Sequence, residues 1–593
     1  MNAVKVLFIN PSPMPSVEQA MLLAKQPIGT VPDFAAPIGM IEIASYVRHR
    51  TDGVDFRLLD IAKDLHVHYL SLAQKGPVSL DGFYEDKLDE LDYDPDIVGV
   101  SILYSSSYKS ILRLVKLARD KWPDALIVAG GNFATSSCDV MFEESASIDY
   151  VFRGEAEKSF TEFLRRYSSD KADKENLSAI QGVYNKEKYQ HHAGLYANSF
   201  ELSEMIEDLD VIGLPAYDLL DLDVYRRTSN RLGKGAISIM TERGCPFQCS
   251  FCATGTVHGK SIRSKSNERI LKDILYLRNE EGFGRIIIQD DLFAAKRRKF
   301  IELESMISRA NLNEERLFSL PNGLSVAVMT EEIVDKIYSM GVDFFRVAIE
   351  SGSTYTQREI IKKNVDLEKA RRIIDYMRTK GLPIETNFIL GFPGETRELM
   401  QETIDYIDTI DVDWVHLFAA LPLPGTEVFH QFAEMGVIDP ENFDWDMCRY
   451  PLRNFDTEEI SARDLATLVY DVNIYTNFFK NKNLRHGRYR RAIDSFDEMV
   501  LTKYPFHIPA RYSRSVAYDA LGEKDRAIED LRKCSELIDT ESESLKLWKR
   551  YGKEMPLLYN YMDRRYAEMI EEQLLEYANY RPAGQTNIQR KRL

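Results

Sequence analysis

The stretch TERGCPFQCSFCATG, residues 241–255, carries Cys245, Cys249 and Cys252, half of the six cysteines in a 593-residue chain. Three residues separate the first pair, two separate the second, and Phe251 stands directly before the last thiol. Thiols so close in sequence converge on one compact centre only from a loop. Three thiolates fill three irons of a cubane cluster or three positions on zinc. Structural zinc closes with four ligands, and the only close residue to complete that set is His258. The spacing points to a cluster with one iron left open, which suits reaction better than architecture.

The segment follows an apolar run, AISIM (236–240), the first of six. The others lie in RIIIQDD (285–291), LFSLPNG (317–323), FFRVAIESGS (344–353), IETNFILGFPGET (384–396) and DWVHLFAALPLPGT (413–426). Amphipathic stretches such as NERILKDILYLRNEEG (267–282) separate them. Six strand–helix units predict a partial (β/α)6 barrel over residues 231–455 rather than a complete eight-unit one, with functional side chains at the carboxyl ends of its strands.

Residues 1–165 alternate in the same way, through VKVLFI (4–9), VDFRLLD (54–60), DIVGVSIL (96–103), ALIVAGG (125–131) and DYVF (149–152). Apolar strands between amphipathic helices predict a doubly wound, Rossmann-like parallel sheet, with ligands beyond the carboxyl ends of its strands. Those ends hold Asn10, the run Ser101–Ser107 with Ser105 inside it, Gly130, Gly131, Gly154 and Glu155. No G-x-G-x-x-G follows the first strand, so a nicotinamide site is disfavoured. Residues 166–230 are charged and read as a connector. Residues 456–593 read as helical. There, Gly487, Ala492 and Phe496 align with Gly522, Ala527 and Leu531 at a 35-residue offset, close to the tetratricopeptide period. Tyr518 fits that pattern. These helices read as a structural cap, with a docking surface as the alternative.

The composition is 44% hydrophobic and 28% charged, and the net charge of −17 argues against nucleic acid or an anionic membrane as partner. No apolar run approaches the roughly 20 residues of a membrane span, and the first residues lack a signal peptide's features. Cys138, Cys448 and Cys534 are scattered, so no disulfide framework is visible and a cytoplasmic protein is expected.

The cysteine segment resembles the signature of the radical SAM superfamily, Cys-x3-Cys-x-aromatic-Cys. The resemblance implies a [4Fe-4S] cluster on the three cysteines, S-adenosyl-L-methionine on the open iron, and a reducing partner such as flavodoxin or ferredoxin. One electron would then release a 5′-deoxyadenosyl radical. It further implies that Phe251, Asp290, Glu350, Ser351 and Gly391 line the S-adenosylmethionine and substrate cavity. Carboxylates there suit an ammonium group and ribose hydroxyls, although any one alone is more often a solvated loop residue or a helix cap.

With the preceding domain, the likeness extends to the cobalamin-binding radical SAM family over about residues 4–450. It is carried by APIGMIEIASYVR (36–48), ALIVAGGNFAT (125–135), DYVFRGEAEKSF (149–160) and LDVIGLPAYDLLDL (209–222). It implies cobalamin over the strand ends, near Ser101, Ser105, Gly130, Gly131, Gly154 and Glu155. The chain departs from many cobalamin domains in lacking an Asp-x-His-x-x-Gly loop after the first strand. KDLHVHYL (63–70) has Asp64 and His66 but no such glycine, and its histidines read as surface residues. The implied activity is methyl transfer to an unactivated carbon, less readily to phosphorus, of a small-molecule, carrier-bound or peptide substrate. The alternatives are rearrangement, cyclisation or oxidation on the same cofactors, and a non-catalytic docking protein. A methylthiotransferase would need a further N-terminal cysteine trio, and only Cys138 precedes the barrel.

Overall fold

The computed structural model describes residues 3–25, 34–71, 74–169, 174–191, 201–227, 235–440, 442–445, 453–559 and 562; Cys448 lies outside them. The first sheet contains β1 (Val4–Asn10), β2 (Val54–Asp60), β3 (Ile97–Ser101), β4 (Leu126–Gly130), β5 (Tyr150–Phe152) and β6 (Val183–Tyr184). Its order is β2-β1-β3-β4-β5-β6. The first five strands pair in parallel, with Val6 opposite Ile97 and Ile97 opposite Leu126, and β6 closes the edge antiparallel to β5. Val6, Leu7, Ile9, Ile97 and Val98 are fully buried, as continuous apolar strands under helices on both faces must be. One such helix, Tyr108–Lys121, buries Ile111, Leu114, Val115 and Ala118, an i, i+3, i+4, i+7 stripe, against the sheet. The winding reverses between β1 and β3, which opens a crevice beyond their carboxyl ends.

Gly99 of β3 stands opposite Phe8 of β1. A Cβ there would lie 2.8 Å from the Phe8 ring, which packs against Phe56 and Phe160. Gly99→Ala is therefore expected to cost about 1–3 kcal/mol in chemical denaturation, the usual range for overpacking.

The described residues of the segment after β5 are tied to both strand series. Beyond β6, Ser45 Oγ donates to the carbonyls of Ile212 and Leu214 (2.9 and 2.7 Å), and Tyr225 donates to Asp60 (2.6 Å). Tyr217 donates to the carbonyl of Ser238 (2.9 Å) in the second strand series. One histidine departs from expectation. His68 is buried, edge-on to Phe83, because its helix turns that side inward.

The second series comprises β7 (Ala236–Ile239), β8 (Glu242–Arg243), β9 (Arg263–Ser264), β10 (Arg285–Ile288), β11 (Phe318–Ser319), β12 (Leu324–Ser325), β13 (Phe345–Glu350), β14 (Ile384–Leu390) and β15 (Trp414–Ala419). Strands run β11-β10-β7 in one sheet and β12-β13-β14-β15 in another, while β8 and β9 form a small antiparallel clasp. Each of the six apolar runs supplies one strand. Four of the helices between them start on side-chain caps: Ser266, Thr330, Asp366 and Thr396 each accept a backbone N–H of the first turn. Along β13, Phe345, Val347 and Ile349 are fully buried, whereas Arg346 and Ala348 are partly exposed. This period of two separates the packed face from the face that borders open space.

Tyr470 onward, with Asp413–Val415, forms a second compact unit. Its helices include Tyr489–Phe496, Ile508–Ala520, Lys524–Thr540 and Ser542–Tyr551. Gly487 and Gly522 each precede a helix in the left-handed region, and Ala492, Phe496, Ala527 and Leu531 are buried. Among the described residues, no helix is long and apolar enough to cross a membrane.

Candidate functional site

The β8–β9 clasp closes residues 244–262 into a loop whose ends pair Arg243 with Arg263. Its entry is fixed by two adjacent carboxylates with different duties. Asp290 is buried and accepts the backbone N–H groups of Thr241 (2.6 Å) and Glu242 (3.0 Å), and also the Thr241 hydroxyl. Asp291 accepts the N–H of Gly244 (2.8 Å) and pairs with His258 Nδ1 (2.7 Å). Midway, Ser250 donates its N–H to the carbonyl of Ile361 (3.0 Å) and its hydroxyl to that of Ile360 (2.9 Å). Phe251 packs on Phe392, with ring centroids 5.7 Å apart.

Between these anchors, Cys245 and Cys249 are partly buried and Cys252 is exposed. Burial pushes the Cys245 thiol up, and pushes Cys249 up to about 12 with Cys252, Cys245 and Glu350 adding. Among the described residues, no three His, Cys, Asp or Glu side chains gather tightly enough for a single metal ion. A cubane needs no such point, because each thiolate holds a different iron. Three thiols on one loop suit such a cluster, and loading it would displace their protons.

Glu350, at the end of β13, stands at φ 74° beside a bulge and pairs with Lys363 (2.9 Å). A non-glycine residue held in this region costs about 1–3 kcal/mol and persists where its surroundings over-determine it. Ser351 is fully buried, its hydroxyl on Thr403 (3.0 Å). Gly391 donates to Glu395 (2.7 Å), and its carbonyl accepts from Arg453 (2.6 Å). Burial lifts the Glu395 carboxyl to about 7, as burial, aided by Glu242, lifts Asp290. A carboxyl raised only in the folded state binds its proton more tightly there. It therefore weakens the fold as pH climbs from 4.5, the ordinary value, to about 7. Glu395→Gln is expected to flatten that part of the stability–pH curve, by at most about 3 kcal/mol, in denaturation at a series of pH values.

A cavity of about 500 Å³ lies beyond the first sheet. On the sheet side it is lined by Asn10, Gly99, Ser101, Gly130, Gly131 and Gly154, and on the other side by Met240, His258, Gln289, Asp291 and Asn322. Glu155 also borders it, whereas Ser105 does not; Tyr104 and Ser107 line that stretch instead. Gly131, at φ 106°, lies so close to the Ile102 carbonyl that a Cβ would sit 2.8 Å from it. This bare, glycine-rich floor fits a broad, flat cofactor such as a corrin.

The same wall hides a charge network that the sequence reading missed. Arg243, two residues before Cys245, pairs with Glu42 (2.6 Å), Glu155 (3.1 Å) and Glu157 (2.6 Å). Arg263 grips Glu155 through both nitrogens (2.5 and 2.7 Å), and Lys265 meets Glu42 (2.8 Å). All six side chains are buried. Burial raises the Glu42 and Glu155 carboxyls, but their cations outweigh it and hold both below the usual range. Glu155, expected at the cofactor, thus spends its oxygens on arginines. The available signal was RG before the first cysteine, but its partners lie up to 201 residues away.

Comparison with known proteins matches both parts of the chain that border the cavity. The profile of the radical SAM superfamily matches residues 239–407, and that of the B12 binding domain matches residues 27–164. The chain is 28% identical to an uncharacterized methyltransferase of Pyrococcus horikoshii, over 72% of this chain and 83% of the relative. It is 24% identical to the hopanoid C-3 methylase of Methylococcus capsulatus, over 89% and 97%. An anaerobic magnesium-protoporphyrin IX monomethyl ester cyclase of Cereibacter sphaeroides is 25% identical over 68% and 63%. Among solved structures, the cobalamin-dependent S-adenosylmethionine radical enzyme OxsB shares the fold, with a TM-score of 0.59 at 14% identity over 97% of this chain and 84% of that one.

Proposed function

Because the chain is a cobalamin-binding radical SAM enzyme with methyltransferase relatives, we propose that it methylates an unactivated carbon, with phosphorus the less favoured target. One observation carries the reading: a single cavity is lined by the strand ends of the B12 binding domain and by groups that hold the cysteine loop, Asp291 foremost. When bound, the cluster with S-adenosylmethionine supplies a hydrogen-abstracting radical, and cobalamin supplies the methyl group.

The chain's own residues bind, orient and exclude water. Cys245, Cys249 and Cys252 hold the cluster; Phe251 and Ser250 fix the loop that carries them. Glu350 and Gly391 border the S-adenosylmethionine side, and Ser351 braces the turn behind Glu350. Asp290 acts through the backbone it holds. Ser101, Gly130, Gly131 and Gly154 form the cobalamin floor, while Glu155 orients Arg243 and Arg263. We assign residues 1–165 to the cobalamin domain, 231–455 to a partial (β/α)6 barrel and the helices after 456 to a tetratricopeptide-like region, with 166–230 as connector. A small or carrier-bound substrate and a flavodoxin- or ferredoxin-like reductant complete the reading, in the cytoplasm.

Isotope labelling tests it. Anaerobically reconstituted protein, given S-adenosylmethionine with a labelled methyl group and substrates drawn from genomic neighbours, is expected to yield deoxyadenosine and a labelled product. Deoxyadenosine with an unlabelled, rearranged or oxidised product would favour the second reading, which the cyclase relative supports.

A further inference from the structure

Among the described residues, one histidine lines the cavity, and it stands on the barrel side. His258 is held from both ends. Its N–H donates to the carbonyl of Thr254 (2.9 Å), and its own carbonyl accepts from Arg263 (2.9 Å). Its Nδ1 meets Asp291 Oδ2 at 2.7 Å, and Asp291 is itself oriented by the N–H of Gly244. The pair is mostly buried, with side chains 18% and 14% exposed. Among the described residues, Nε2 makes no hydrogen bond. A carboxylate on one ring nitrogen, with the other nitrogen free at a cavity wall, is the arrangement that orients histidines for metals. It fixes the tautomer and the orientation of the ring.

The other barrel-side groups are poorer donors. Gln289 and Asn322 are amides, Val257 has no lone pair, and Arg243 is committed to three carboxylates. Met240 offers only a thioether. On the sheet side no histidine lines the cavity among the described residues. A flat macrocycle laid on the glycine floor turns one face to this wall.

We propose that His258 Nε2 is a protein ligand to the cobalt of the unmethylated cofactor, bound from the barrel side with Asp291 as its orienting partner. The inference rests on the cavity holding cobalamin.

The test is electron paramagnetic resonance of full-length protein carrying cobalamin in the cobalt(II) state, grown with natural or 15N-labelled histidine. The expected result is a three-line nitrogen splitting on the cobalt signal that becomes two-line on labelling. His258→Ala is expected to abolish it while cobalamin, read by absorbance in the same samples, is retained. Asp291→Asn is expected to reduce the fraction of signal showing it. A splitting unmoved by labelling belongs to the cofactor's own base and overturns the inference, as does no splitting. A label-sensitive splitting that survives His258→Ala assigns another histidine and also overturns it. Protein that retains no cobalamin overturns the cofactor reading itself, and absorbance alone distinguishes that case.

Discussion

Replacing Cys245, Cys249 or Cys252 by alanine is expected to lower reductive cleavage of S-adenosylmethionine by more than about 100-fold. Changes one shell away from a metal already cost about 10–100-fold, and here a ligand itself is lost. With two thiolates the loop holds two irons, and the remaining irons must take water or leave. Iron and sulfide content and the broad absorbance of the cluster should fall with the activity. The fold should persist, because Ser250 anchors the loop through its backbone and hydroxyl and the β8–β9 clasp closes its ends. Circular dichroism unchanged from wild type would show that persistence. Wild-type deoxyadenosine production by a Cys249→Ala protein would end the cluster assignment and revive the docking-protein alternative.

Arg243→Met is expected to destabilise the full chain by about 3–5 kcal/mol, the usual cost of stripping one partner from a buried ion group. Glu42, Glu155 and Glu157 would keep their places without the guanidinium that bridges all three. Arg243→Lys should restore only part of the loss, since a point charge cannot reproduce a planar fork. The pH dependence gives a second reading. Glu42 and Glu155 are held below the ordinary carboxylate value of 4.5. Depressed carboxyls contribute stability above that pH and lose it as pH falls through the folded value. The gap between wild type and Arg243→Met should therefore narrow on acidification below about 4.5. Denaturant titrations at several pH values would show it, and a gap that widened would contradict the network.

Six of the nine strands of the second series were legible because parallel strands covered by helices must be apolar along their length, and AISIM or RIII can be little else. The cysteine loop was legible for a different reason: its spacing is a covalent fact. What stayed hidden was set by partners distant in sequence. Strands β6, β8 and β9 have two residues each, too few for any period to show. Asp290 and Asp291 are neighbours of one type beyond the end of β10, and only the backbone groups they accept, of Thr241 and Glu242 or of Gly244, tell their duties apart. Glu155 was legible at a strand end, but not its pairing with Arg263, 108 residues on, which donates to both its oxygens. Ser105 and Ser107 could not be separated, because the turn of the short helix Ser105–Ser107 decides which one lines the cavity.

The clasp between β8 and β9 has a consequence for assembly. Closing a free loop of about 20 residues costs roughly 2–3 kcal/mol of chain entropy. Here that cost falls on folding, because the hairpin and its arginines join residues 243 and 263 through bonds of the protein alone. Inorganic iron and sulfide therefore meet a noose already drawn, and need order only its interior. Loosening either knot, even by a substitution in the far-off glutamates, would transfer the entropy back to the cluster and appear at the bench as poor iron retention.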